Sequence, residues 1–226
     1  MPIKDLSGVL LYAHDTEQQF AEFKSLFLKS GIVEGVSEGN LTLVKKFGEC
    51  FLDVDNGLVD YHFILRVLPL ENFTVDTMRH INQMAETILK SESLYGLKDQ
   101  PGLEQILALS NQYTFGHDYH PTVIDKASYL WYAIASKQLF HNGNKRTALL
   151  TGLLMLEQNF IRLHYKDTQE LYDLSLRIAQ GSMSREELQQ FILKKATLHL
   201  DNIAFFSRFY GPIANLNIGG KQYEPK

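Results

Sequence analysis

Apolar and polar positions alternate in three different ways along the chain. Up to about residue 73 the pattern is mixed. Thr16 stands where a helix cap belongs, and Phe20, Phe23, Leu26 and Phe27 behind it form one apolar face that Gly31 would end. Further on, Asn56-Gly57 is a hairpin-turn pair. Val59, Tyr61, Phe63, Leu65 and Val67 then alternate with more polar neighbours, as in a half-buried strand. Residues 1–73 are expected to form a small α+β region.

From 74 to 198 a helical period takes over. Met78, Ile81, Met84, Ile88 and Leu89 follow a 3.6-residue period. Thr122 with Asp125, after Pro121, reads as a capping box opening a helix that turns Ile124, Ala127, Leu130, Trp131, Ile134 and Ala135 inward. The next helix, Lys145 to about Glu157, carries leucines at 149, 150, 153, 154 and 156. That is too wide for a surface stripe, so this helix is predicted to be buried and central. Thr168 to Ala179 is a further helix, Gly181 follows it, and Ser184 with Glu187 caps another. The last segment, 199–226, loses its period: the FFSRFY run is expected to pack on the body, and GPIANLNIGGKQYEPK to be a loosely held tail. The expected class is mainly α, a helical bundle preceded by the small α+β region.

Composition narrows the function. Hydrophobic residues make up 45% of the 226 and charged residues 21%, the balance of a folded globular protein. A net charge of −4 without a long basic run argues against a nucleic-acid partner. Cys50 is the single cysteine, which excludes an internal disulfide and suits a reducing compartment. No stretch reaches the roughly 18 apolar residues of a membrane span. A soluble, cytoplasmic protein with no membrane partner is expected.

The segment that suggests chemistry is QLFHNGNKRTALL, residues 138–150. Gly143 permits close backbone approach, Asn144 offers an amide, and Lys145 and Arg146 bring charge to the positive end of a helix. Together they make a phosphate site. An N-capped helix with two solvated cations would leave the same residues, and Phe140 anchors the loop on either reading.

The stretch from Tyr113 to Leu163, with Gly96, Asp99, Leu103 and Glu104 upstream in YGLKDQPGLEQILAL, resembles the Fic/Doc (Fido) family, closest to its death-on-curing branch. The resemblance covers roughly residues 77 to 195. It implies a Fido-type helical bundle with a small flap over residues 74–198. It also implies binding of ATP or another nucleoside triphosphate with magnesium, and transfer of AMP, or in the death-on-curing branch a phosphoryl group, to a protein hydroxyl. The family's motif is His, any, Phe, any, Asp or Glu, Gly or Ala, Asn, Gly or Lys, Arg. Here it reads Gln138, Leu139, Phe140, His141, Asn142, Gly143, Asn144, Lys145, Arg146. By the resemblance Asn142, Gly143, Asn144, Lys145 and Arg146 hold the phosphates. Gly116, His117, Tyr119 and His120 fall in the flap that positions the target segment.

Two chemical positions are altered. Gln138 stands where the family has its base, and an amide does not accept a proton near neutral pH; a positioned base contributes about 10²- to 10⁴-fold. Asn142 stands where the family has its magnesium-binding acid and brings no charge. His141, or a flap histidine, is a candidate substitute base; the plainer reading is a solvent-facing His141 and two ordinary loop histidines. Ser30 to Gly35 also fits the short glutamate pattern with which some relatives block their nucleotide site. The arginine that this glutamate would need is Leu149 here, and the segment reads mainly as a helix end with glycines. The expected function is a degenerate or low-activity Fic/Doc-like protein that binds a nucleotide or a protein partner. The alternative is an active transferase, with a protein target or an antitoxin-like protein as its partner.

Overall fold

The computed structural model describes residues 5–46, 48–87, 95–209, 216–218 and 221–223. The chain divides into two units, one of Met1–Pro69 with Thr197–Lys226 and one of Leu70–Ala196.

In the first unit strand β1 (Asp5–Ala13) leads to helix α1 (Glu17–Lys29), then to β2 (Leu41–Lys46), β3 (Glu49–Asp55) and β4 (Asp60–Leu68). Thr16 caps α1 by accepting the Gln19 N–H at 3.0 Å, and Gly31, in the left-handed region, follows its end. The sheet order is β1-β4-β3-β2, with β1 parallel to β4 and the other pairs antiparallel. The Asn56-Gly57 turn lies between β3 and β4, where the Asn56 side chain accepts the N–H groups of Leu58 and Val59. One sheet face packs on α1: Phe23 lies 5.0 Å from Tyr12, and Phe27 5.6 Å from Phe63, between ring centroids. Strand alternation turns Glu49, Asp53, His62 and Arg66 to the other face, where Glu49 pairs with Arg66 and Asp53 with His62 across β3 and β4.

The second unit is helical: α2 (Val75–Thr87), α3 (Gln100–Ser110), a two-stranded hairpin β5 (Tyr113–Thr114) and β6 (His117–Asp118), α4 (Val123–Ser136), α5 (Asn144–Gln158), β7 (Ile161–Leu163), α6 (Thr168–Ala179) and α7 (Arg185–Lys195). α5 is the central helix, packed by α2, α4, α6 and β7. Its tightest crossing is with α4. A Cβ on Gly152 would lie 2.9 Å from Trp131 Cδ2, so the glycine admits the indole, which is fully buried and donates from Nε1 to Ser175 Oγ at 2.7 Å. The Ser184–Glu187 capping box is formed, whereas Thr122 caps α4 by accepting the Asp125 N–H alone. On α2 the inward stripe is Met78, Ile81, Asn82, Ala85 and Glu86. Met84, expected inward, is half-buried, and Ile88 and Leu89 lie outside the described residues.

The chain returns to the first unit through β8 (Ala196–Leu198), and α8 (Leu200–Ser207) lies against β1. The expectation that FFSRFY packs on the body fails for its described residues. α8 buries Ile203, and Phe205 sits about two residues round the helix from it, on the opposite side. Phe205 and Phe209 are accordingly 53% and 71% exposed. Most of the expected tail, 211–226, lies outside the described residues, apart from strands β9 (Leu216–Ile218) and β10 (Lys221–Tyr223), which pair antiparallel. Among the described residues no helix is long and apolar enough to cross a membrane.

Candidate functional site

The segment between α4 and α5 is held from three sides before it offers anything outward. Leu139 and Phe140 are buried. The Leu139 carbonyl accepts the N–H groups of Lys98 and Asp99 at 2.8 and 3.0 Å, and the His141 N–H donates to the Gly96 carbonyl at 3.0 Å. Asp99 also caps α3 by accepting the Gly102 N–H at 2.9 Å, so the Gly96–Asp99 turn is a clasp between α3 and this loop.

Within the loop Asn144 is the staple. Its Oδ1 accepts the Phe140 N–H at 2.9 Å, and its Nδ2 donates to the Phe140 carbonyl at 2.9 Å and to Gln138 Oε1 at 3.2 Å. The side chain is thus spent on the loop itself, and the amide that the sequence reading assigned to a ligand is turned inward. The third hold comes from α2. Asn82 donates from Nδ2 to the Asn142 carbonyl and to Thr147 Oγ1, both at 3.0 Å, and its Oδ1 accepts the Gly96 N–H at 2.9 Å.

Gly143 has φ +74°, in the left-handed region, and precedes the first residue of α5. A Cβ there would overlap the carboxylate of Glu86. The close approach that this glycine permits is therefore that of an anion supplied by the protein's own α2. Glu86 is fully buried, and its Oε1 accepts from Arg146 Nε at 3.1 Å and from Nη2 at 2.5 Å. Its Oε2 is buried with no hydrogen-bond partner among the described residues.

What remains outward is a cavity of about 170 Å³ lined by Gln138, His141, Asn142, Gly143, Asn144, Lys145, Arg146 and Tyr172. The first hydrogen bond of α5 runs from the Thr147 N–H to the Gly143 carbonyl, so the helix itself has no acceptor for the N–H groups of 144, 145 and 146. Those amides and Lys145 suit an anion. The same wall does not suit magnesium. No carboxylate lines it, Asn142 Oδ1 already accepts the Gly143 N–H at 2.8 Å, and no described cluster of three or more His, Cys, Asp or Glu could hold a metal ion.

The flap residues named from the sequence sit on the β5–β6 hairpin and just after it; none of them lines the cavity. Phe115 and Gly116 both have positive φ and make the two-residue turn, with Phe115 97% exposed. Tyr113, His117 and Tyr119 are exposed as well. His120 is not: its ring is buried and stacked on Tyr129 at 4.3 Å. Of the three histidines considered as substitute bases, only His141 borders the cavity. Below the hairpin Lys126 is buried and donates to Asn111 Oδ1 at 2.8 Å and Asn72 Oδ1 at 3.2 Å; burial pulls its pKa down, with Asp118 acting against that.

Three residues that shape the site were not found in the sequence: Asn82, Glu86 and Tyr172. For the first two a signal existed, since both are polar residues on the inward stripe of α2. Tyr172 lies one position beyond Leu171, off the buried stripe of α6, and gives no such signal.

A helical unit in which a clasped polar loop opens onto the N-terminus of a buried central helix defines the class. Residues 72–156 match the model of the Fic/DOC family, and this stretch, from just before α2 through most of α5, is a Fic/Doc (Fido) domain. No curated protein matches the chain.

Proposed function

We propose that the 138–146 loop holds the phosphate of a nucleotide or of a protein partner, and that the chain works chiefly by binding, as a degenerate member of the death-on-curing branch. The observation that carries this reading is the make-up of the cavity wall. Anion donors are present in the amides at the start of α5 and in Lys145, while Gln138 and Asn142 stand in the places of the family's base and acid. Gln138 offers an amide oxygen already bonded to Asn144, Asn142 is bonded to its own loop, and Glu86 neutralises Arg146 from behind. A protein target segment would pair with the exposed β5–β6 hairpin, whose Tyr113, Phe115 and Tyr119 project from the surface.

A second reading has one observation in its favour: His141 borders the same cavity and could serve as base. On that reading the chain moves AMP or a phosphoryl group from ATP to a protein hydroxyl, as a toxin restrained by an antitoxin-like protein would.

The test compares the natural chain with a Gln138→His, Asn142→Asp variant in host lysate, with ATP labelled at the α or the γ phosphate. The binding reading expects saturable ATP or pyrophosphate binding without label transfer by the natural chain. Label on a protein with the natural chain, lost in His141→Gln, would establish the transferase instead and name the group moved.

A further inference from the structure

Among the described residues only three buried side-chain polar atoms lack a hydrogen-bond partner: Glu86 Oε2, His120 Nδ1 and Arg185 Nε. Two of them belong to one cluster, at the point where the hairpin runs into α4. His120 Nδ1 lies 3.7 Å from Asp125 Oδ2, close enough for charge to matter and too far for a hydrogen bond. The other oxygen of Asp125 is taken, accepting from Arg185 Nη2 at 2.8 Å and Gln189 Nε2 at 3.4 Å. The ring is fixed against Tyr129, and the backbone N–H of His120 donates to Asp118 Oδ1 at 3.0 Å.

We propose that His120 is a positioning residue for the 113–119 hairpin, holding its root to α4 and α7 through a contact with Asp125 that tightens when the imidazole takes up a proton. A neutral ring carries one N–H, on either nitrogen, and can leave Nδ1 facing the carboxylate as a lone pair. The protonated ring always presents Nδ1–H to Asp125 Oδ2 and adds charge to the bond, and the proton comes from solvent. Buried polar atoms without partners cost stability, so the docked hairpin is stabilised when Nδ1 gains that bond.

Among the described residues, the titratable and charged groups of this cluster lie on three elements. Asp118 lies on the hairpin, Asp125, Lys126 and Tyr129 on α4, and Arg185 on α7 beyond Asp125. Burial raises the Tyr129 pKa and Arg185 lowers it, so the guanidinium charge is felt at the face of the cluster. That this hairpin meets a target segment rests on the function proposed above; the contact itself does not.

The experiment is an NMR titration of the full chain from about pH 8 to about pH 5, the range in which histidines change charge. All proteins compared carry His117→Gln, which removes the exposed imidazole of the same hairpin. The expected result is that hairpin amides shift together with the His120 ring, and that their exchange protection, corrected for the intrinsic rate, rises severalfold on acidification. His120→Phe keeps the stack on Tyr129 and should abolish the response. Asp125→Asn should weaken it, and serves as the comparison if the Phe variant does not fold. Hairpin signals that stay constant while the ring titrates, or that respond equally in His120→Phe, would overturn the proposal. None of these readouts needs a nucleotide or a target, so they stand apart from the test of anion binding.

Discussion

Gly143 and Lys126 carry the sharpest consequences at the scale of single residues. Gly143 combines a left-handed backbone with a Cβ direction that ends in the Glu86 carboxylate. The backbone alone makes Gly143→Ala cost about 1–2 kcal/mol, and the overlap adds to that. Chemical denaturation of a double-mutant cycle separates the two: in a Glu86→Ala background the Gly143→Ala cost should fall to the backbone part. An equal cost in both backgrounds would remove Glu86 from the account. Lys126 bears on pH dependence. Its folded pKa lies below the ordinary 10.5, so in the window just under that value the unfolded chain holds more protons than the folded one. Stability therefore rises with pH there. Wild type minus Lys126→Met, measured by denaturant midpoints at alkaline pH, should rise through this window. Tyr12, pushed up to about 12 by burial and then by Asp15, is common to both proteins and cancels.

At the scale of elements, α2 organises the loop and α4 sets the position of α5. Gly152 is where α5 meets Trp131, and the atoms nearest to a methyl group added there all belong to that tryptophan. Gly152→Ala should lower stability by about 1–3 kcal/mol, as overpacking does, despite alanine's higher helix propensity. A more stable variant in thermal melts would mean that the indole can move aside. Much of this layer was legible from spacing: the caps at Thr16, Thr122 and Ser184, the turn at Asn56-Gly57 and the burial of α5 all rest on local chemistry. The face of α2 was not, because its inward stripe includes Asn82 and Glu86, and a reading that follows apolar residues passes over polar ones paired across the fold. α8 shows the converse error. Three phenylalanines in FFSRFY suggest a core, but the helix period sets Phe205 opposite Ile203, and hydrophobicity alone does not choose between the two sides.

For the whole molecule, charge decides how any anion can be recognised. The motif singled out the 138–146 loop from residue types, yet the charge that the loop presents was not legible, because Arg146 is answered by a glutamate 60 positions away in sequence. With a net charge of −4 the protein as a whole repels polyanions, and on the function proposed above the attraction comes from Lys145 and the start of α5. Binding of so local a kind depends weakly on salt, since few charges are screened, whereas a basic surface that neutralises many phosphates loses decades of affinity. Calorimetric titration with pyrophosphate should therefore show less than about a tenfold loss between about 0.05 M and about 0.5 M salt. Lys145→Ala should weaken binding and flatten that dependence further. Under the same conditions a single-stranded oligonucleotide should not compete with pyrophosphate. Competition with a steep salt dependence would place the relevant anions on an extended surface rather than in this loop.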